Sequence, residues 1–345
     1  MPEPGDDRPL LEIEGLVKRF PVRRGVLGGR AVVHAVEGVD LTIRRGETVS
    51  LVGESGSGKT TLGRCVTGIT PPTSGRIRFD GTDIAASARR ARGDFRRRVQ
   101  PVFQDPRGSL DPRWPIERTI REPLDAYRIG SDAARDERVR ELMDLVGLPR
   151  HLAARHPAEL SGGQQQRVAI AAALALGPDL LVADEPVSAL DVSVQAQILN
   201  LLTELKERLG LALLFIAHDL AVVEHISDRV AVMYFGRIVE TGTVADVFGD
   251  PRHPYTRALI DAIPHPDPAR RITRTRLTGE IPSPLNPPGG CRFHPRCPVT
   301  VARCSDDDPD QTYFTAAHSA ACHVAAVATG SSPAAIELDQ KGTLL

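Results

Sequence analysis

The sequence predicts an α/β protein organised around a mostly parallel sheet, and three observations carry that expectation. Strand-like apolar runs alternate with helical patterns through the chain, as strand–helix–strand units do. One run, ETVSLVG (residues 47–53), feeds directly into a glycine-rich turn that opens a helix. Another, DLLVADEP (179–186), ends in two acids and a proline. The 345 residues suffice for one large or two modest domains with a real core.

In chain order, residues 1–8 read as a loose leader. LLEIEGLV (10–17) and VEGVDLTI (36–43) alternate apolar and polar positions as half-buried strands do. The strand at 47–53 and its glycine turn follow. The stretch 119–176 is mostly helical in pattern, and ARDERVRELMDLVGL (134–148) closes on Gly147. Then come the strand at 179–186, a helical VQAQILNLLTELKERLG (194–210), the apolar LALLFIAHD (211–219), and RVAVMYFGRIVETG (229–242) as a strand-like run. Beyond Phe248 the Pro-rich DPRHPY and GEIPSPLNPPGG mark a boundary and a loop-dominated appendage. The small, polar residues 326–345 are expected to form a mobile tail.

Composition excludes several classes. With 25% charged and 41% hydrophobic residues and a net charge of −1, the chain has ordinary globular composition and no global basic field to recruit nucleic acid. The basic run RRARGDFRRR (89–98) reads as a solvated helix face. No apolar stretch approaches the ~20 residues of a membrane span. The acidic, Pro-containing start MPEPGDDRPL suits neither a signal nor a transit peptide, so a cytoplasmic location is expected.

The chemistry begins at GESGSGKTT (53–61), which fits G-x-x-x-x-G-K-[ST] between a strand and a helix. Glycines let successive N–H groups turn inward around phosphate oxygens at a helix N-terminus. Gly53, Glu54, Ser55, Gly56, Ser57, Gly58, Lys59, Thr60 and Thr61 form the candidate cradle, with Lys59 on the outer phosphates and the Thr60 hydroxyl on Mg²⁺. Asp184 stands where an acid would hold Mg²⁺ through its water shell, and Glu185 where one would orient or deprotonate water. LSGGQQQR (160–167) reads as a helix start capped by Ser161, and such a start is also an anion site.

In combination, GESGSGKTT, LSGGQ and LLVADEP, with VFQDP and IAHD, resemble the ATP-binding subunit of ABC transporters. The resemblance implies a P-loop NTPase fold of the ABC nucleotide-binding type: a RecA-like core, an antiparallel β subdomain and a helical signature subdomain over about 106–176. It implies ATP and Mg²⁺ as ligands and ATP hydrolysis as the activity. By motif, Gln104 resembles the Q-loop residue that touches Mg²⁺ and the lytic water, and His218 the switch histidine on the γ-phosphate. Leu160, Ser161, Gly162, Gly163 and Gln164 resemble the signature that completes a second subunit's site; Ser188, Ala189, Leu190 and Asp191 resemble the D-loop. Phe20 in LVKRF resembles the aromatic that stacks on adenine. One departure stands out: Ala172 occupies a position where the family usually has arginine, so altered local packing or charge is expected there, and not lost hydrolysis.

The runs VVHAVEGVDLTIRRGETVSLVGESGSGKTTLGR, FQDPRGSLDPRW, DEPVSALDVSVQAQILNLL, HPYTRALIDAIP and GEIPSPLNPPGGCRFHPRCP narrow the resemblance to the oligopeptide/dipeptide importers, F-type of the D/F pair. That resemblance implies a nucleotide-binding domain over 9–250 and a peptide-transporter extension over 251–325. It also implies a paralogous D-type ATPase or a second copy, two transmembrane permeases and an extracytoplasmic peptide-binding protein as partners, at the cytoplasmic face of the membrane. A transporter for nickel or a sugar is the nearer alternative, and a non-transport ABC ATPase the more distant one.

Four of the five cysteines gather at one end: Cys291, Cys297, Cys304 and Cys322. Their spacing lacks the short knuckles of structural zinc sites, and a reducing compartment disfavours disulfides. Thiolates on long loops suit an iron–sulfur cluster, and the importer resemblance implies a [4Fe–4S] cluster. His294, His318 and His323 keep zinc open, and unliganded thiols remain a third alternative. On this reading the segment is a peripheral staple, remote from the chemistry between Gly53 and His218.

Overall fold

The protein is described from a computed structural model, over residues 8–23, 30–85, 89–263 and 282–327. In chain order the first half runs β1 (Leu11–Arg23), β2 (Arg30–Ile43), β3 (Thr48–Val52), α1 (Lys59–Val66), β4 (Ser74–Phe79), β5 (Thr82–Asp83), α2 (Arg89–Arg98), β6 (Val99–Val102), α3 (Pro106–Ser109), α4 (Ile116–Ala126), α5 (Asp132–Leu145) and α6 (Gly162–Leu174). The second runs β7 (Leu180–Asp184), α7 (Val192–Leu209), β8 (Ala212–Ala217), α8 (Leu220–Ile226), β9 (Arg229–Tyr234), β10 (Arg237–Thr243), α9 (Val244–Gly249), α10 (Pro254–Asp261), α11 (Arg303–Asp306), β11 (Gln311–Tyr313), β12 (Ser319–Ala321) and α12 (His323–Val327). Two compact units interleave along the chain, one of residues 1–16, 40–50 and 60–217, the other of 17–39, 51–59 and 218–345.

The first unit carries the parallel strands. β7 pairs in parallel with β6 and with β8, placing Ala183 beside Val102 and Phe215. β8 is buried along its whole length, as a parallel strand covered on both faces should be. Arg98, at the end of the basic run, is bonded to Asp179 at the start of β7 and donates to Asp80 at 2.8 Å. The run is thus a helix whose last arginine ties β-strand ends together. α6 packs against α3, α4, α5 and α7. α5 starts at Ser131, whose hydroxyl accepts from the Ala134 N–H, and the chain turns after it at Gly147 with φ 66°. α7 stops at Gly210, left-handed at φ 64°, the conformation a helix C-terminus asks of glycine.

In the second unit the pairs among β9, β10, β11 and β12 are antiparallel. RVAVMYFGRIVETG is a hairpin rather than one run: β9 and β10 pair antiparallel through Phe235 and Gly236, at φ 47° and 85°. Positive φ at both central residues is the tight hairpin geometry that follows strand twist. The extension is mostly turns, but β12 pairs with β10 and β11 with β12. Glu240 on β10, fully buried, accepts from the N–H groups of Arg252 (2.7 Å) and His253 (2.8 Å) and lies 2.8 Å from His318 Nε2. That cluster fastens the extension to the sheet at a buried, fully bonded carboxylate. Residues 326 and 327 belong to α12, so helix continues into the expected tail. The rest of that tail, residues 1–7 of the leader and residues 264–281 lie outside the described residues.

Candidate nucleotide site

The glycine-rich turn is forced by its surroundings. A Cβ on Gly53 would sit 2.1 Å from the Met233 carbonyl oxygen, and one on Gly58 2.2 Å from that of Ala35. Gly58 also holds φ at 106°, which side-chain-bearing residues rarely adopt. Both glycines therefore let the backbone curl against its own unit. At the centre lies Lys59, almost fully buried, its Nζ donating to the carbonyls of Gly53 (2.6 Å) and Glu54 (2.9 Å). Ser57 is buried, whereas Ser55 and Gly56 are exposed on the rim.

Glu54 is gripped at both ends. Its N–H donates to the Tyr255 hydroxyl at 2.8 Å, and its carboxylate takes a two-pronged ion pair from Arg296 at 2.8 and 3.1 Å. Arg296 sits one residue before Cys297. The cysteine segment is therefore not remote from the phosphate loop, which corrects the sequence reading. The Glu54 hydrogen bond raises the pKa of Arg296, against the opposing effect of burial. Tyr255, Tyr234 and Phe293 pack as an aromatic cluster beneath, with ring centroids 4.6 to 5.5 Å apart.

In the first unit, α1 presents Thr60, whose hydroxyl donates to Asp184 Oδ1 at 3.1 Å. Two hard oxygens so placed form the donor set that Mg²⁺ takes from protein. Next to Asp184, Glu185 adopts φ 46° and its N–H bonds to the Ile216 carbonyl at 2.9 Å. A non-glycine residue held there costs on the order of 1 kcal/mol or more, and the neighbouring strand holds it there. Gln104, after β6, donates from Nε2 to Glu185 Oε2 at 2.9 Å. Thr60, Asp184, Glu185 and Gln104 are thus brought together within one unit.

The signature forms a reciprocal cap. The Ser161 hydroxyl accepts from the Gln164 N–H, and the Gln164 side chain accepts from the Ser161 N–H. Leu160 is buried, and Gly163 abuts α7: a Cβ there would come 2.5 Å from Val194. Gly162 faces Leu190 at 3.1 Å in the same sense, so these glycines serve packing. Ser188 bonds back to the Glu185 carbonyl at 3.1 Å, Ala189 is exposed, and Asp191 precedes α7. Ala172 lines a groove of about 270 Å³ with Phe103, Leu110 and Trp114, where the packing change was expected.

His218 and Phe20 belong to the second unit. His218 is exposed directly after β8. Phe20 is exposed on β1, with Lys18 Nζ 4.8 Å from its ring centroid. Nearby, Glu37 bonds Arg19 and His34; burial alone would raise its pKa, but those two partners pull it below the usual range.

Each of the four C-terminal thiols lies within electrostatic reach of the other three. Burial raises the pKa of Cys291 and of Cys297 to about 11 and that of Cys322 in the same direction. No disulfide joins them. Among the described residues no three His, Cys, Asp or Glu side chains are arranged to hold a single metal ion. The histidines bond elsewhere: His318 to Glu240, His294 to the Cys291 carbonyl and His323 to the Asp307 carbonyl.

Arg296, Tyr255 and Glu240 were missed from the sequence as site-supporting residues. The only available signal was an arginine next to a clustered cysteine.

Comparison with known proteins shows the family. Residues 36–188 match the family model described as ABC transporter, and residues 239–304 match the oligopeptide/dipeptide transporter C-terminal region. The chain is 51% identical over 330 residues to a protein of Sinorhizobium fredii named a peptide ABC transporter ATP-binding protein, covering 95% of this chain and 94% of that one. It is 50% identical over 316 residues to a Brucella ovis protein named a peptide import ATP-binding protein, covering 92% and 98%. A solved ATP-binding cassette, dimeric in a post-hydrolysis state with ADP and Pi, superposes with TM-score 0.61 at 30% identity, over 68% of this chain and 98% of that one. The cbiO1 subunit of a Clostridium perfringens ABC transporter complex gives TM-score 0.60 at 31% identity, over 71% and 92%. By these matches the chain belongs to the ATP-binding subunits of ABC transporters, in the branch with the oligopeptide/dipeptide C-terminal region.

Proposed function

We propose that this chain binds and hydrolyses ATP to drive import of oligopeptides or dipeptides. The observation that carries the hydrolytic part is the bond between Thr60, on the helix opened by the phosphate loop, and Asp184 at the end of β7. ATP lies along the loop, with its outer phosphates on Lys59 and the N–H groups of residues 53–61, and with Phe20 against the base. Thr60, Asp184 and Gln104 would hold Mg²⁺, which when bound would supply charge neutralisation at the transferring phosphate. Glu185, oriented by Gln104, takes the proton of the attacking water, and His218 holds the γ-phosphate.

A second subunit completes the site. Its residues 160–164 present a capped helix N-terminus to the γ-phosphate, and its Ser188–Asp191 turn touches the opposite site. ATP thus bridges two faces, and hydrolysis removes the charge that held them, a ligand-biased two-state element. The second subunit is a paralogous D-type ATPase or a second copy. Two transmembrane permeases and an extracytoplasmic binding protein complete the importer, and this chain sits at the cytoplasmic face of the membrane. No helix of the described residues is long and apolar enough to cross a membrane. The nucleotide-binding part spans 9–250, with its helical subdomain over 106–176, and the extension 251–325.

Cys291, Cys297, Cys304 and Cys322 would hold an iron–sulfur cluster, with zinc or unliganded thiols as the alternatives. What supports this is that each of the four thiols lies within electrostatic reach of the others and that none is tied up in a disulfide. A four-iron cluster spreads its ligands wider than a single ion does. Anaerobically purified protein should contain iron and acid-labile sulfide, and protein lacking both would overturn this part.

Peptide import is supported by the C-terminal region at residues 239–304 and by the named relatives. Its test is uptake of labelled di- to pentapeptides by cells lacking the gene. Wild-type protein should restore uptake and Lys59→Ala should not. Unchanged peptide uptake in the deletion, with nickel or sugar uptake lost instead, would overturn the peptide assignment.

A further inference from the structure

We infer that Arg296 is a positioning residue for the nucleotide site, acting through Glu54 on the phosphate loop. The inference rests on the reading of residues 53–61 as the ATP cradle. Arg296 ends a one-turn 3₁₀ helix, His294–Arg296, that lies between Cys291 and Cys297. Its N–H bonds to the Phe293 carbonyl at 2.9 Å, and Phe293 packs against Tyr234 and Tyr255. The Arg296 side chain is 7% exposed. Such a buried, planar cation meets a carboxylate in a forked pair, which fixes orientation as well as distance.

What Arg296 holds is a residue with two further bonds to the site. The Glu54 N–H is fixed by Tyr255, and the Glu54 carbonyl accepts from Lys59 Nζ at 2.9 Å. A chain of direct contacts therefore runs from the residue preceding Cys297, through Glu54, to the lysine that meets the phosphates. Arg296 touches neither nucleotide nor reacting atoms on this account. It sets how the first turn of the loop is presented, and with it the nucleotide affinity. The cysteine segment and the phosphate loop are 242 residues apart in sequence at this pair, and nothing local in either would have linked them.

The test is equilibrium binding of a fluorescent ATP analogue to the full chain, with thermal unfolding recorded for each variant. Arg296→Met should weaken binding about tenfold, the size expected for losing a charge-assisted hydrogen bond. Arg296→Lys, which keeps the charge but not the fork, should recover part of that loss. Glu54→Gln should weaken binding by a similar factor, and adding Arg296→Met to it should produce less than a twofold further change. A purely structural arginine would weaken binding equally in both backgrounds, which would overturn the inference. Should Arg296→Met fail to fold, Glu54→Gln alone decides: wild-type affinity in that variant overturns the inference. Lys59→Ala separates the two layers. If wild-type protein binds no nucleotide, the ATP reading itself fails; if wild type binds, Lys59→Ala does not, and Arg296→Met and Glu54→Gln bind as wild type, only the role of Arg296 fails.

Discussion

Acidification should loosen the second unit through one buried imidazole. His253 is 1% exposed and caps α10, its Nδ1 accepting from the Tyr255 N–H at 3.1 Å. Burial pushes its pKa down to about 3, whereas in an unfolded chain the imidazole titrates near ~6.5. Below that value the unfolded state takes up a proton that the folded state refuses. The stabilisation is therefore complete above about pH 6.5 and is lost as pH falls toward 3, at about 1.4 kcal/mol per pH unit. Between pH 7 and pH 5 the loss is about 2 kcal/mol, because the first half unit or so is spent reaching the unfolded pKa. The comparison protein is His253→Asn, which keeps a capping oxygen but does not titrate. Asparagine also forfeits the ring contact with Phe293 at 5.5 Å, and that lowers its stability equally at both pH values. Urea unfolding at pH 7 and pH 5 should therefore show wild type losing about 2 kcal/mol more than the variant over that interval. An equal loss in the two proteins would refute the assignment of a buried neutral imidazole. The expected consequence reaches the site, since α10 carries the tyrosine that holds Glu54.

Two further perturbations test the fold around the site. Glu240→Ala removes the acceptor shared by the N–H groups of Arg252 and His253 and by His318; it should cost about 3–5 kcal/mol in thermal or urea unfolding, as breaking a buried charged network does. Glu240→Gln keeps one oxygen but turns an NH₂ toward a donor, so its cost should be smaller, about 1–3 kcal/mol; a variant ranking in the opposite order would contradict the network. Gly58→Ala must displace the Ala35 carbonyl from a 2.2 Å approach at φ 106°, so nucleotide affinity should fall on the order of 100-fold, equivalent to a strain of about 3 kcal/mol. Wild-type affinity in that variant would show that the turn relaxes freely.

The parts of the molecule that were legible in sequence are those governed by short-range rules. GESGSGKTT specifies its turn because glycine alone fits against two carbonyls, and S-x-x-Q at Ser161 and Gln164 is a capping pair readable from spacing. The long helix ended at Gly210 as its sequence required. β6 was not read as a strand, since VQPV is four residues with a proline inside; it is tolerated because β6 lies at the sheet's edge. The β9–β10 turn was hidden because Phe235, at φ 47°, is not a turn-forming residue type. At the site, the chemical groups were legible but their supports were not. The grip of Arg296 and Tyr255 on Glu54 joins segments about 200 or more residues apart, and no periodicity or motif spacing encodes such a contact. The same blindness made the cysteine segment look peripheral.

The most direct measurement of the central claim is hydrolysis by Glu185→Gln, set beside its nucleotide affinity. The variant keeps the shape of the side chain and its contact with Gln104 but cannot accept a proton from water. Phosphate release should fall by at least about 100-fold, in line with loss of a general base, while ATP binding stays at the wild-type level and the dimer accumulates in its closed, ATP-bound form. Near-wild-type turnover by Glu185→Gln would contradict the account, because the carboxylate at the end of β7 would then not be the group that activates water.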